Sequence, residues 1–63
     1  MTNTEKNREA AADIRDYLNQ IIAAAKDAKA ELRGKDYQGL DTTLRCIERM
    51  VQGAQNTRYK LTR

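Results

Sequence analysis

One short segment, residues 34–40 (GKDYQGL), interrupts a chain that otherwise has the composition of continuous helix. Gly34 follows Arg33 as a helix stop, and a glycine there is free to adopt a positive φ. Asp36 is the favoured N-cap of the next helix, and Asp41 is the alternative, which would leave a longer loop. The predicted elements are helix 1 at about residues 3–33, a turn at 34–36 and helix 2 at about 37–60, within one domain spanning 1–63.

Helix 1 has apolar residues at alternating spacings of three and four, as in a heptad seam. The seam consists of Ala11, Ile14, Leu18, Ile21, Ala25, Ala28 and Leu32. Ala10, Tyr17 and Ala24 widen it on one side, and Ile22 widens it on the other. Because small residues let two backbones approach closely, we expect the tightest contact near Ala24, Ala25 and Ala28. The start of the helix is open by one turn, with Thr2 (paired with Glu5 as a capping box) and Thr4 as competing caps.

Helix 2 continues the same spacing and adds a second apolar line. Its main seam consists of Leu40, Leu44, Ile47, Val51 and Ala54, and Leu61 would resume it after Arg58. Cys46, Met50 and Gly53 form a narrower line on the flank, which we expect to point away from helix 1. A two-helix hairpin needs one seam, whereas a four-helix bundle needs both. Gly53 costs about 1 kcal/mol relative to alanine inside a helix, but the pattern beyond it favours continuation of helix 2.

The pattern predicts an all-α protein: a two-helix antiparallel hairpin that dimerises into a four-helix bundle. A chain of 63 residues needs stabilisation beyond its own core, and one cysteine and no histidine leave neither an intrachain disulfide nor a thiolate–histidine metal site to supply it. We therefore expect self-association. The predicted oligomer interface comprises Ile14, Leu18, Ile21, Leu44, Ile47, Met50 and Val51.

The turn resembles that of tetratricopeptide-type helical hairpins. In that family the sequence Gly-x-Asp-Tyr-x-x-small-Leu joins two helices, and here it is matched by Gly34, Asp36, Tyr37, Gly39 and Leu40. The resemblance implies that Tyr37 packs on the first helix and that Gly39 lets the helices meet. It covers about eight residues, and helix 1 lacks the family's aromatic and leucine signature. It supports a hairpin and does not indicate a repeat array.

The chain offers few groups for catalysis. Histidine and serine are absent, so Cys46 has no histidine partner, and we expect it to pack as a small apolar side chain. No Gly-Lys-Ser/Thr phosphate loop follows the turn. The sequence therefore predicts a protein that is not an enzyme and has no cofactor and no metal site. The longest apolar run is five residues, which predicts a cytoplasmic protein without a membrane span.

The remaining question is the kind of partner. The sequence favours a small regulatory or accessory protein that acts as a homodimer and binds a protein partner, a kind of protein frequent in bacteria and phages. The alternative is an RNA- or DNA-binding regulator that uses the basic carboxyl-terminal end, supported by a net charge of +3. Its candidate contacts are Arg49, Arg58, Tyr59, Lys60 and Arg63. The Rop family of RNA-regulating hairpins is similar in length and hairpin design, although no residue motif is shared.

Overall fold

The computed structural model describes residues 3–61, and the side chain of residue 3 is not described. Helix α1 runs over Asn3–Arg33 and helix α2 over Tyr37–Arg58, and the two pack against each other. The all-helical hairpin predicted from the sequence is confirmed. The molecule is a rod with principal extents of 49 × 14 × 14 Å, which is the shape of two long helices side by side.

The turn between the helices closes α1 with a Schellman motif. The Asp36 N–H donates to the Glu31 carbonyl at 2.8 Å, and the Lys35 N–H donates to the Leu32 carbonyl at 3.2 Å. The residue with the left-handed conformation is Lys35, at a φ of 61°, and Gly34 does not have a positive φ. The prediction that Gly34 takes this conformation is therefore wrong by one position. Helix α1 ends at Arg33 as predicted, but the Schellman hydrogen bonds place the left-handed site on Lys35, one residue beyond the glycine.

This placement makes Lys35→Gly a stabilising substitution. A side chain in the left-handed region costs about 1–2 kcal/mol, whereas glycine adopts it freely. Allowing for the larger entropy of glycine in the unfolded chain, we expect the free energy of unfolding to rise by about 0.5–1 kcal/mol. Chemical denaturation measures it. The matched control is Gly34→Asn, where an asparagine suited to the left-handed region should give no such gain; an equal gain at position 34 would contradict the assignment.

Asp36 caps α2, as predicted, and Asp41 lies inside the helix. The Asp36 Oδ1 accepts from the Gly39 N–H at 3.0 Å, which satisfies one of the free N–H groups of the first turn. A Cβ at Gly39 would collide with the carboxylates of Asp36 and Glu31, so Gly39 leaves room for both side chains. Tyr37 is 62% exposed. The expectation that it packs on α1 is wrong, because it lies on the flank of the first turn of α2.

The interface between the two helices is built from small side chains. Among the described residues, only Ala10, Ala28 and Thr57 are buried, and no large side chain is completely buried. Ala24 and Ala25 are half-buried, in line with the expected close approach. Near the turn, the Thr43 hydroxyl donates to the Glu31 Oε1 at 2.5 Å across the two helices. A hairpin with so little apolar burial gains little stability from its own core.

Helix α2 continues through Gly53 and ends at Arg58, two residues before its predicted end. The Thr57 hydroxyl donates to the Gly53 carbonyl at 3.0 Å, so the helix is intact on both sides of the glycine. At the other end of the chain, α1 begins at Asn3 and includes Thr4. The competing cap, Thr2, lies outside the described residues. Neither helix contains a stretch long and apolar enough to cross a membrane.

Candidate protein-interaction surface

The two long sides of the hairpin differ in chemistry. On one side, a groove between the helices is lined mainly by aliphatic side chains. We call this side the apolar face; its groove is lined by Ile14, Leu18, Ile21, Val51, Ala54, Gln55, Arg58 and Leu61. Leu18 is 49% exposed, Val51 38% and Leu61 41%. Large aliphatic side chains are thus held half in solvent along a continuous groove, which is typical of an interaction surface.

The apolar face extends beyond the groove toward the turn. Leu32 is 57% exposed and Leu44 47%. These positions continue the seven-residue spacing of Leu18 on α1 and of Val51 on α2, so they lie on the same side of each helix. Ile22, which is 55% exposed, lies one turn beyond Leu18 at the edge of the face. The apolar face therefore follows the rod over most of its length.

The opposite side of the hairpin is polar. The groove there is lined by Asp13, Asp16, Tyr17, Gln20, Thr57 and Lys60. A neighbouring groove at the same end adds Lys6 and Glu9. Both signs of charge occur close together, so the polar side has no strong excess of either. We call the groove lined by Asp13, Asp16, Tyr17, Gln20, Thr57 and Lys60 the polar groove.

Gly53 brings Tyr17 against the backbone of α2. A Cβ at Gly53 would lie 2.7 Å from the Cε1 and Cζ atoms of the Tyr17 ring and 2.8 Å from its hydroxyl oxygen. The absence of a side chain at position 53 therefore leaves the space that the Tyr17 ring occupies. The prediction that Cys46, Met50 and Gly53 form a second line pointing away from helix 1 is wrong, because Gly53 faces α1. Met50, one turn earlier, is half-buried.

The phase of the seam also differs from the prediction. The residues turned toward the partner helix include Ala10 and Tyr17, which we assigned to the edge of the seam, whereas Leu18 and Leu44, assigned to its centre, are exposed. The reason is that small residues allow the closest approach: Ala10, Ala28 and Gly53 bring the backbones together, and the leucines are rotated out. A second apolar surface is present, but it consists of the leucine and valine side chains of the apolar face.

The predicted interface residues consequently divide into two groups. Leu18, Leu44 and Val51 are exposed on the apolar face, and Ile14 and Ile21 are half-buried beneath them. Ile47 and Met50 are half-buried within α2. The predicted oligomer interface did not include Leu32, Leu61 and Ile22, although the apolar spacing places all three in or beside the two seams.

The structure does not gather the predicted nucleic-acid contacts on one surface. Arg58 lines the apolar groove, whereas Lys60 lines the polar groove together with Asp13. Tyr59 is 81% exposed, and Arg49, nearly three turns earlier, is also exposed. Arg63 lies outside the described residues. The described basic residues therefore point in different directions around α2, and one of them has an acidic neighbour.

Cys46 is exposed, so the expectation that it packs as a small apolar side chain is wrong for the hairpin. Within residues 3–61, no three cysteine, aspartate or glutamate side chains are grouped as metal ligands would be. No protein-family model, curated protein or solved structure matches this chain.

Proposed function

We propose that this chain is a non-enzymatic interaction protein with a regulatory or accessory role. Two hairpins pair through their apolar faces into a homodimeric four-helix bundle, and the bundle binds a protein partner. One observation carries the proposal: the large aliphatic side chains lie on an exposed face, while no large side chain within residues 3–61 is completely buried. Pairing gives these side chains the burial that the hairpin alone does not.

The dimensions of the hairpin fit this pairing. The chain exposes 5255 Å², about a quarter more than the roughly 4,100 Å² expected for a compact protein of its mass. One long side of a rod of 49 × 14 Å has an area of roughly 700 Å², close to the ~800 Å² that each partner buries in a standard interface. A second copy of the hairpin has the matching length and the matching apolar side, so it is the occupant that the face fits best.

A protein partner is favoured over nucleic acid by what remains exposed after pairing. Tyr59 lies at the far end of α2 and is 81% exposed, and exposed tyrosines are enriched in protein interfaces. Nucleic-acid binding requires basic residues that converge on one surface. Here Arg58 and Lys60 lie on opposite sides of the hairpin.

The first test concerns the dimer. Because folding and association are coupled, we expect the melting temperature, followed by circular dichroism, to rise by about 5 °C for each tenfold increase in protein concentration. Sedimentation equilibrium should give twice the mass of the chain at micromolar concentration. A monomer whose melting temperature is independent of concentration would contradict the proposal.

The second test concerns the partner class. Fluorescence anisotropy with a labelled RNA stem-loop and a labelled DNA duplex should show no binding at low salt. Retention of a protein partner from the native host should fall at least about tenfold with Tyr59→Ala, and the dimer should persist. Binding to nucleic acid that falls steeply with salt, and is lost with Arg58→Ala and Lys60→Ala, would replace the protein partner by nucleic acid.

A further inference from the structure

The edges of the apolar face carry charges of opposite sign on the two helices. On α1, the positions one turn beyond the face are Arg8, Arg15, Ile22 and Lys29, which recur every seven residues and are exposed. On α2, the corresponding positions are Asp41, Glu48 and Gln55, also exposed at the same spacing. A step of four residues moves about 40° around a helix, so both rows flank the face and lie beside a hairpin docked on it.

We propose that the second copy docks with its turn at the same end as the first, so that α1 of each protomer lies on α2 of the other. This inference rests on the proposed function, since it specifies how the homodimer is arranged. The orientation of the second copy is inferred from the charges along the edges of the apolar face, and not from the apolar side chains themselves.

Two symmetric arrangements place one apolar face on the other. If the two-fold axis runs along the rod, the turns meet at one end, and the basic edge of α1 lies on the acidic edge of the partner's α2. If the axis runs across the rod, the turns lie at opposite ends, and each helix lies on its own copy. All contacting helices are antiparallel in both arrangements. In the second, the basic edges face each other, and like charges in register are unfavourable.

Lys29 and Asp41 form the oppositely charged pair that most directly distinguishes the two arrangements. Tyr17 lies against Gly53 across the hairpin. Lys29 and Asp41 are each twelve residues nearer the turn, on α1 and α2 respectively, so they lie at nearly the same height above it. With the turns together, Lys29 of each chain therefore faces Asp41 of the other. Asp41 already pairs with Arg45 at 3.1 Å, but both side chains are more than half exposed, and such a pair is weak enough to be shared.

Arg58 is the exception on the α2 side. It lines the apolar groove at the open end of the hairpin, where it offsets one of the two acids of the α2 edge. With Arg58 counted together with the edge, the α2 side has a net charge of −1, and the α1 edge has +3. The two helices therefore still carry opposite net charge along the apolar face, which favours the arrangement with α1 of each protomer on α2 of the other.

Distance measurement between spin labels tests the orientation. A label at Lys35→Cys in a Cys46→Ser background reports the turn-to-turn distance in the dimer, and both sites are exposed. With the turns together, the helix spacing of about 10 Å and the label length give roughly 15–25 Å. A distance near the 49 Å length of the hairpin would overturn the orientation and leave the homodimer intact. A monomeric sample with no coupling between labels would overturn the proposed function itself.

A charge exchange gives an independent readout. We expect Lys29→Glu, which faces Asp41 of the other chain, to weaken the dimer roughly tenfold. The double variant Lys29→Glu and Asp41→Lys should restore the wild-type dissociation constant. Lys26→Glu, an equal charge change on the outer side of α1, is the matched control and should have little effect. Failure of the double variant to recover, or an equal loss with Lys26→Glu, would contradict the pairing.

Discussion

Leu18→Asp is expected to weaken the homodimer at least about a hundredfold and to reduce helix content at micromolar concentration. Leu18 is 49% exposed in the single hairpin but becomes buried when a second hairpin covers the apolar face. Each dimer contains the change twice, and burying an unpaired carboxylate in place of a leucine costs several kcal/mol at each site. In the proposed homodimer each hairpin depends on pairing for its stability, so dissociation is expected to be accompanied by unfolding. Sedimentation and circular dichroism at several concentrations measure both effects.

The control is Asn19→Asp, one residue further along. It introduces the same negative charge near the middle of α1, but Asn19 is exposed and does not line the apolar groove. We expect a change of at most about 0.5 kcal/mol for this surface substitution. Equal and small effects of the two variants would mean that the apolar face is not covered.

Gly53→Ala is expected to destabilise the protein, although alanine is the better helix former. The new methyl group would overlap the Tyr17 ring, which lies 2.7 Å from the Cβ position. Overpacking of this kind costs about 1–3 kcal/mol, which exceeds the gain of about 1 kcal/mol in helix propensity. In a Tyr17→Ala background the ring is absent, and the same substitution should become stabilising by up to about 1 kcal/mol.

The informative result is that Gly53→Ala changes from destabilising to stabilising when the Tyr17 ring is removed, because a glycine that only ends or bends a helix would not produce this change. Urea denaturation of the four proteins in this cycle at one concentration gives the coupling between the two sites. Gly34→Ala is a second control, since a Cβ there would lie 3.5 Å from the Ala30 carbonyl oxygen, an ordinary contact. A destabilising effect of Gly53→Ala of the same size in both backgrounds would contradict the role assigned to Tyr17.

The helices and the turn could be predicted because their signals are local. Apolar spacings of three and four identify a helix, and Asp36 three residues before Gly39 identifies a cap whose geometry the structure reproduces. The left-handed residue was harder to place. Gly34 was the natural candidate, but the Schellman hydrogen bonds put that conformation on Lys35, one residue beyond the glycine.

The phase of the seam could not be predicted for a different reason. The apolar stripe on each helix is three positions wide, and a single neighbouring helix covers only part of it. Which edge is covered depends on the opposing side chains, above all on the fit of Tyr17 over Gly53. Helical periodicity treats each helix separately and carries no information on that fit. The exposed positions of Leu18 and Leu44 therefore emerged only from the packed hairpin.

The tight turn has a consequence for how the chain finds its fold. Facing residues are twelve positions apart at Glu31 and Thr43, and the separation triples by Tyr17 and Gly53. Each contact brings the next pair closer, so every further loop to be closed is short and its entropic cost is small. Within one chain the helices can join progressively from the turn, as a zipper does. In the proposed homodimer, the slower and concentration-dependent event is the association of two chains.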